Sequence, residues 1–414
     1  ESWLIVFRVI QGAGAAIMFP AALAIVLNAF PLGERGRAMA IFFAVAGGLT
    51  AIGPLAGGFL VEWDWRAIFW VNIPVAIIAL FLIWKSKPAD EKHQAELDYN
   101  GTALITLGMG LSVLGLQQSS IWGWGDAKTW ACLALGLAIL AAFVRYELRV
   151  ENPLLRLTIF RDKAFAVDNV VLFLLMIPFV PLFFFASMYA QISLGESASQ
   201  TGLYLLIFFG GFALASQWGG KMLDRIGARR PMVLGCGVAA IGFYLWGRSL
   251  TELSVSDQWY YIAIAGAGVG LVLSPANTDA LNRVSRDRYG EATGITQTVR
   301  NFGASLGLAV LGSILILENR SHLETTADKH GFSKEIGREI ADQISQGTGA
   351  GESPEDLPAR AQKVIDAIPH DFAMASRTVF YGMAAVMAVA FVVALVGMPG
   401  GKVEEVPEGG APTA

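Results

Sequence analysis

Two arginines lie inside long apolar stretches. Arg8 precedes Gln11 by three positions in the stretch RVIQGAGAA, and Arg300 stands beside Asn301 in a second apolar stretch. If these stretches cross a lipid bilayer, a cation there costs a few kcal/mol or more unless it faces a bundle interior, a water-filled cavity or a partner. We therefore expect a role in ion or anion binding for both arginines. Snorkelling to the membrane interface remains the alternative.

Acidic residues that could pair with these arginines are scarce in the apolar stretches. Asp168 begins one stretch and Asp279 ends another. The sequence predicts that Asp168 favours a helix N-terminus through the helix dipole. Asp279 lies at the opposite helix end, so it is a candidate cavity residue or arginine partner. Neither position predicts a buried proton carrier, because both lie near the ends of their stretches.

The composition indicates an all-α integral membrane protein. Of the 414 residues 54% are hydrophobic and only 15% are charged, and the mean hydropathy is +0.53. Apolar runs of about 17 to 27 residues have the length that a helix needs to cross a hydrocarbon core of about 30 Å. Eleven runs fit this description. They cover residues 3–29, 38–60, 67–84, 101–118, 129–146, 166–190, 201–219, 231–247, 259–280, 293–317 and 376–398.

The distribution of lysine and arginine predicts the orientation of these spans. Every second short loop is rich in cations, 16 in all, whereas the loops between them hold only Arg66, Lys128 and Arg248. The positive-inside rule places the rich loops in the cytoplasm. The first residue then lies outside and the C-terminus inside. Because the chain also begins without Met, we expect it to lack about three preceding spans.

An internal repeat supports a two-halved architecture. A shift of 254 positions aligns Gly12 with Gly266, Asn28 with Asn282 and Gly53 with Gly307, across two spans and the loop between them. Repeats in the same orientation build transporters in which the substrate site lies between the halves. The recurrence of small residues in membrane helices is the simpler alternative.

The repeat predicts an arrangement of six plus two plus six spans, eleven of them in this chain. The predicted segments are the end of the N-terminal half (1–84), a cytoplasmic loop (85–100), an inserted pair of spans (101–146), a cytoplasmic linker (147–165), the C-terminal half (166–398) with an external loop (318–375), and a cytoplasmic tail (399–414).

Four sequence stretches carry a resemblance to a known family. They are RVIQGAGAA from Arg8, GGLTAIGPLAGG from Gly47, WRAIFWVNIPVA from Trp65 and GGKMLDRIGARR from Gly219. Together they resemble the fourteen-span drug:proton antiporter family of the major facilitator superfamily. The resemblance implies that Arg8 and Gln11 take part in proton coupling.

Two further motifs take their expected roles from the same resemblance. Gly53, Pro54, Gly57 and Gly58 match the family's antiporter motif, in which small residues permit close helix packing and the proline bends the helix. Asp224, Arg225, Gly227 and Arg230 are similar to the superfamily's gating loop. The alternatives are ordinary small-residue packing for the first motif and a positively charged glycine turn for the second.

The resemblance predicts a rocker-switch exporter of small, lipophilic molecules in exchange for protons. Its partners would be a small-molecule substrate, protons and the lipid bilayer of the cell membrane. No nucleic-acid partner is expected, a partner in the cell envelope is unknown, and the protein would be a monomer. A narrow-specificity metabolite or antibiotic exporter and an uncoupled facilitator are alternatives. A membrane enzyme is a remote one, because no Walker A, H-E-x-x-H or G-x-S-x-G constellation is present. No cofactor or metal is expected.

Overall fold

The computed structural model describes residues 2–29, 56–86, 98–150, 153–284, 288–345 and 359–401, with isolated positions 42, 45, 49 and 53. The chain divides into two units, Glu1–Glu96 and Leu97–Ala414. Nine helices in the described ranges are long and apolar enough to span a membrane. Most of the predicted span 38–60 lies outside these ranges.

Three helices have defined bounds in the described residues of the first unit. They are α1 (Ser2–Ala29), α2 (Ala67–Trp70) and α3 (Asn72–Ser86). Residues 56–63 are also helical. Helices α2 and α3 together form one candidate span, Ala67–Ser86. The Asn72 side chain donates to the Ile68 carbonyl at 2.8 Å, which ties the short α2 to the start of α3.

The second unit contains nine helices in its described residues. They are α4 (Tyr99–Trp122), α5 (Ala127–Glu147), α6 (Lys163–Ile192), α7 (Ala198–Ile226), α8 (Arg229–Ser249), α9 (Trp259–Asn282), α10 (Tyr289–Lys329), α11 (Lys334–Ser345) and α12 (Ala359–Gly397). Helix α9 packs against α7 and α8, while α12 packs against α6, α8 and α10.

Helices α4 and α5 form a hairpin that packs on α10. Asp98 and Asp126 cap their N-termini by accepting hydrogen bonds from the backbone N–H groups of Gly101 and Lys128. The Trp124 indole in the connecting turn donates to the Ser313 hydroxyl of α10 at 2.8 Å. The hairpin is thus attached to α10 through its connecting turn as well as through α4.

The predicted external loop 318–375 is largely helical in its described residues, 318–345 and 359–375. Helix α10 runs on to Lys329 and α12 begins by Ala359, so both helices extend well past the predicted span ends. Helix α11 lies against the extension of α10, where Arg320 contacts Asp342 at 2.6 Å and Arg338 contacts Glu324 at 2.9 Å. Helix α11 is thus a separate element, whereas residues 359–375 belong to α12.

A buried hydrogen-bond network joins one end of α6, α7, α8 and α9. The Gln258 amide donates to the Tyr189 hydroxyl and accepts from the Tyr204 hydroxyl, at 2.7 and 2.8 Å. The Trp246 indole donates to Tyr204 at 2.9 Å, and Tyr189 donates to the Leu250 carbonyl at 2.6 Å. Each buried polar group here has a partner, as a site without water requires.

The phenylalanines of α6 pack against those of α7. Phe183 stacks on Phe209 with ring centroids 5.3 Å apart, and Phe179 stacks on Phe212 at 5.9 Å. Phe184 in contrast is 53% exposed. The aromatic side chains at this contact are therefore mainly helix-packing groups.

Helices α7 and α9 approach each other so closely that their backbones touch. A Cβ atom on Gly211 would collide with the carbonyl oxygen of Ala263, and one on Gly266 with that of Phe208. Small residues allow this approach, which brings many atoms of the two helices into van der Waals contact.

We predict that Gly211→Ala lowers the stability of the protein by about 1–3 kcal/mol, because the added methyl group forces the two backbones apart. The neighbouring Gly210→Ala is the matched control, since its Cβ meets no atom within 4 Å. Thermal unfolding in detergent measures both. Equal effects of the two substitutions would contradict the packing described.

Candidate functional site

The first predicted pair, Arg8 and Gln11, lies on one face of α1. The Arg8 Nη1 atom donates to the Gln11 Oε1 atom at 3.0 Å. The guanidinium carbon lies 5.0 Å from the centroid of the Phe69 ring in α2, within the range of a cation–π interaction. The structure thus joins the two residues and orients the arginine with one hydrogen bond and one ring.

The antiporter motif is only partly described. Pro54 lies outside the described residues. A Cβ atom on Gly53 or Gly57 would meet no heavy atom within 4 Å, and Gly58 is half-buried. The close helix packing predicted for this motif therefore stays a prediction.

Arg300 and Asn301 lie together on α10 and are linked through Gln297. Arg300 donates to the Gln297 side-chain oxygen at 3.3 Å, and the Gln297 amide donates to Asn301 at 3.1 Å. The Arg300 Nε–H is buried and has no hydrogen-bond partner among the described residues. No described carboxylate forms an ion pair with Arg300, so Asp279 is not its partner.

The predicted gating loop connects α7 to α8. Gly227 ends α7 with φ +82°, a conformation that favours glycine. Asp224, Arg225 and Arg230 are exposed and make no ion pair with the described residues. Arg229, which the sequence analysis did not single out, donates to the Leu395 carbonyl at 3.0 Å and so anchors the loop to the last turn of α12.

Asp279 is an arginine partner, as one interpretation of the sequence proposed, and the arginine is Arg283. The Arg283 Nε atom lies 2.7 Å from the Asp279 Oδ2 atom. The sequence analysis missed this pair, although the i, i+4 spacing on a helix was a usable signal. Only 12% of the Arg283 side chain is exposed.

The prediction that Asp168 stabilises a helix N-terminus is wrong. That role belongs to Asp162, which accepts hydrogen bonds from the N–H groups of Ala164 and Phe165. Asp168 lies a turn and a half further along α6 and is completely buried. Its Oδ2 atom is 3.8 Å from Arg283 Nε, and Asp162 Oδ2 is 3.9 Å from Arg283 Nη1. We call Asp162, Asp168, Asp279 and Arg283 the carboxylate cluster.

A small cavity lies between α6, α10 and α12. Its volume is about 210 Å³, and its walls include Phe184, Met188, Leu315 and Phe372. The buried Asn319 is its polar wall residue, and the side-chain oxygen of this asparagine accepts no hydrogen bond in the described residues. The cavity could hold an apolar group with one hydrogen-bond donor.

The residues described contain no group of three His, Cys, Asp or Glu side chains that could hold a metal ion. The site chemistry that the structure offers is therefore that of arginine, carboxylate and amide groups inside apolar helices.

Comparison with known proteins identifies the family. A profile of the Major Facilitator Superfamily matches residues 1–308. This chain belongs to the major facilitator superfamily. Membership agrees with the all-α membrane fold and with the motifs around Arg8 and Gly219.

Several relatives of this superfamily member are resistance or export proteins by name. It is 32% identical to the tetracenomycin C resistance and export protein of Streptomyces glaucescens over 75% of this chain and 59% of the relative. It is 33% identical to multidrug resistance protein Stp of Mycobacterium tuberculosis over 74% of this chain and 57% of the relative. A multidrug resistance protein B homolog of M. tuberculosis is 29% identical over 94% of this chain and 71% of the relative. The chain thus spans under two thirds of the length of the first two relatives.

We predict that Arg283→Gln destabilises this transporter-family protein by about 3–5 kcal/mol, because it leaves buried carboxylates without their cation. Arg320→Gln is the control: it breaks the Arg320–Asp342 pair, whose side chains are 40% and 32% exposed, and should cost about 0–1 kcal/mol. Chemical unfolding in detergent compares the two. If Arg283→Gln is as stable as Arg320→Gln, the ion pairs of the carboxylate cluster do not hold α6 and α9 together.

Proposed function

We propose that this protein exports small, lipophilic molecules across the cell membrane in exchange for protons. The observation that carries the proposal is the set of relatives named for antibiotic or multidrug resistance and export, at 32–33% identity over three quarters of this chain. The superfamily match over residues 1–308 spans the Arg8 and Gly219 motifs. The protein is therefore proposed as a transporter rather than a membrane enzyme, working as a monomer in the bilayer.

The Arg8–Gln11 pair supplies chemistry that suits proton coupling. A guanidinium in an apolar helix lowers the free energy of a nearby carboxylate and so disfavours its protonation. Movement of that arginine between two partners would change the affinity of the carboxylate for a proton. The hydrogen bond to Gln11 and the contact with Phe69 hold Arg8 in one such position.

The fourteen-span arrangement is part of the same proposal. Two halves of six spans would rock about a substrate site between them, and the α4–α5 hairpin would be the added pair. The cation distribution favours a cytoplasmic gating loop between α7 and α8, a cytoplasmic C-terminus and an external α11. Asp224, Arg225 and Arg230 are exposed, so they are free to bind another part of the protein in a second state.

An exporter dedicated to one antibiotic is the second candidate. It is favoured by a relative named for resistance to a single compound, the tetracenomycin C resistance and export protein. The two candidates share fold and energy source and differ in the range of substrates. A transport screen with lipophilic cations, neutral compounds and anions separates them.

We predict that Arg8→Ala abolishes substrate-triggered proton release by the full-length protein. Inside-out vesicles with an imposed proton gradient and a pH-sensitive dye measure this release. Arg66→Ala is the matched control, because Arg66 is also exposed and stacks on an aromatic ring, that of Trp65, at 4.6 Å. Arg300→Ala in the same assay tests the second arginine and should weaken export of anionic compounds most.

Proton release that persists in Arg8→Ala at the wild-type rate would remove Arg8 from the coupling mechanism. Export that continues unchanged after the gradient is collapsed would overturn proton exchange itself.

The orientation has its own test. A cysteine placed at the exposed Glu335 of α11 should react with a membrane-impermeant maleimide in intact cells. A cysteine at the exposed Arg230 should react only after the membrane is permeabilised. The reverse pattern would invert the proposed topology. Native Cys236 is buried and Cys132 partly so, and the unsubstituted protein gives the background labelling.

A further inference from the structure

Asp168 is the most isolated buried charge in the described part of the second unit. The side chain is 0% exposed, and neither carboxylate oxygen accepts a hydrogen bond in the described residues. An ionised carboxylate in such surroundings loses the hydration that stabilises its charge. The nearest cation, Arg283, is 3.8 Å away, which is too far for a strong hydrogen bond.

Arg283 alone cannot neutralise the carboxylates of the cluster. Its short contact is to Asp279 at 2.7 Å, and its contacts to Asp168 and Asp162 are longer. Asp162 is 21% exposed and caps α6, so the buried carboxylates are Asp168 and Asp279, at 0% and 1% exposure. If both were ionised, one guanidinium would leave a net charge of about −1, and buried ions without full compensation are strongly unfavourable. Another positive charge must therefore bind to the buried carboxylates while the cluster is closed to water.

Apolar side chains lie beside Asp168 and Asp279, the two carboxylates of the cluster that are shielded from solvent. Ile159, Phe165, Ala280, Val284 and Ile295 form a buried apolar group at the same end of α6, α9 and α10. Ile159 belongs to the 3-10 turn Leu157–Arg161, which lies directly before α6. This turn and the start of α6 cover the cluster from the side that we propose to be cytoplasmic.

The missing charge fits a proton better than a metal ion. The described residues hold no set of three side chains arranged for a metal. The Oδ2 atoms of Asp168 and Asp279 both face the Arg283 Nε atom, at 3.8 and 2.7 Å, and two buried carboxylates gathered around one cation share one proton because both cannot be ionised together.

The charged groups that face Asp168 come from two places. Asp279 and Arg283 belong to α9 and the residue just after it, and Asp162 precedes α6. The described residues of α7, α10 and α12 contribute no ion pair to Asp168. Among the described residues, these three groups set the charge that Asp168 experiences.

We propose that Asp168 and Asp279 bind one shared proton, and that this proton passes to cytoplasmic water when the cytoplasmic end of α6 and α9 opens, so that Arg283 and water then stabilise both ionised carboxylates. This proposal adds a proton-binding site in the C-terminal half. The role of its proton in export rests on the proposed function. Proton binding itself does not depend on transport, so it can be measured separately.

The experiment labels the full-length protein in detergent with dicyclohexylcarbodiimide, which attaches to protonated carboxyl groups in apolar surroundings. Peptide mass spectrometry between pH 6 and pH 8, roughly the range in which exposed carboxylates stay ionised, reports each site. We expect label on Asp168 or Asp279 at about ten times the level on Asp342, which is 32% exposed and ion-paired. The Asp168→Asn variant should lose the label at both positions, since an amide needs no shared proton.

A second measurement starts from the wild-type protein, so it still tests the proposal if Asp168→Asn folds poorly. The infrared difference spectrum of the wild-type protein between acid and alkaline pH should contain a protonated carboxyl band that Asp168→Asn lacks and Asp342→Asn keeps. Absence of that band, or equal labelling of Asp168 and Asp342, would overturn the proposal.

Transport assays on the same protein distinguish the two proposals. Substrate-triggered proton release without label at Asp168 or Asp279 would overturn the shared-proton site and leave the export proposal standing. Label at the site without any proton release would support the site and count against antiport. Label at the site, with proton release that shifts in its pH profile in Asp168→Asn but not in Asp342→Asn, would support both.

Discussion

A hydrocarbon interior supplies no hydrogen-bond partner, and this constraint governs the protein at every level. Backbone groups must be satisfied within each segment, which is why the apolar runs form helices. Since lipid gives no strong hydrophobic reason for helices to associate, close van der Waals packing and polar contacts must hold the bundle together. The contact of α7 with α9 through Gly211 and Gly266 and the network around Gln258 are two local answers to that constraint.

The same constraint gives the few charged groups in the spans their chemical interest. Some buried polar groups, such as Tyr204 and Gln258, are paired with each other and hold helices in place. Asp168 differs, because it is buried beside another acid with one distant arginine. Paired polar groups therefore stabilise the bundle. Asp168, whose negative charge is not fully compensated, is the group that we propose to bind a proton.

The sequence predicted the spans well because their length and apolarity depend directly on the bilayer. The runs at 166–190, 201–219, 231–247 and 259–280 each lie within one helix of the structure, α6 to α9. Helix ends were harder. The segment after residue 317 is polar enough to resemble a loop, yet α10 continues to Lys329 because α11 packs on it and ion pairs fix the contact.

The site residues also include some that the sequence predicted and some that it did not. Arg8 and Gln11 were found together because their spacing of three places them on one helix face. The carboxylate cluster could not be assembled from sequence, because Asp168 and Arg283 are separated by more than a hundred positions and meet only when α6 packs against α9. Near the end of an apolar run, a sequence does not tell a capping carboxylate from a buried one, as Asp162 and Asp168 illustrate.

The central claim, export driven by proton exchange, is tested most directly in proteoliposomes containing the full-length protein and no other energy source. A lipophilic test substrate is placed at equal concentration on both sides, and a pH gradient is then imposed. The account predicts uphill accumulation of substrate on the acidic side, which is lost when a protonophore collapses the gradient. Equal concentrations that persist despite the gradient, with the protein correctly inserted, would contradict it.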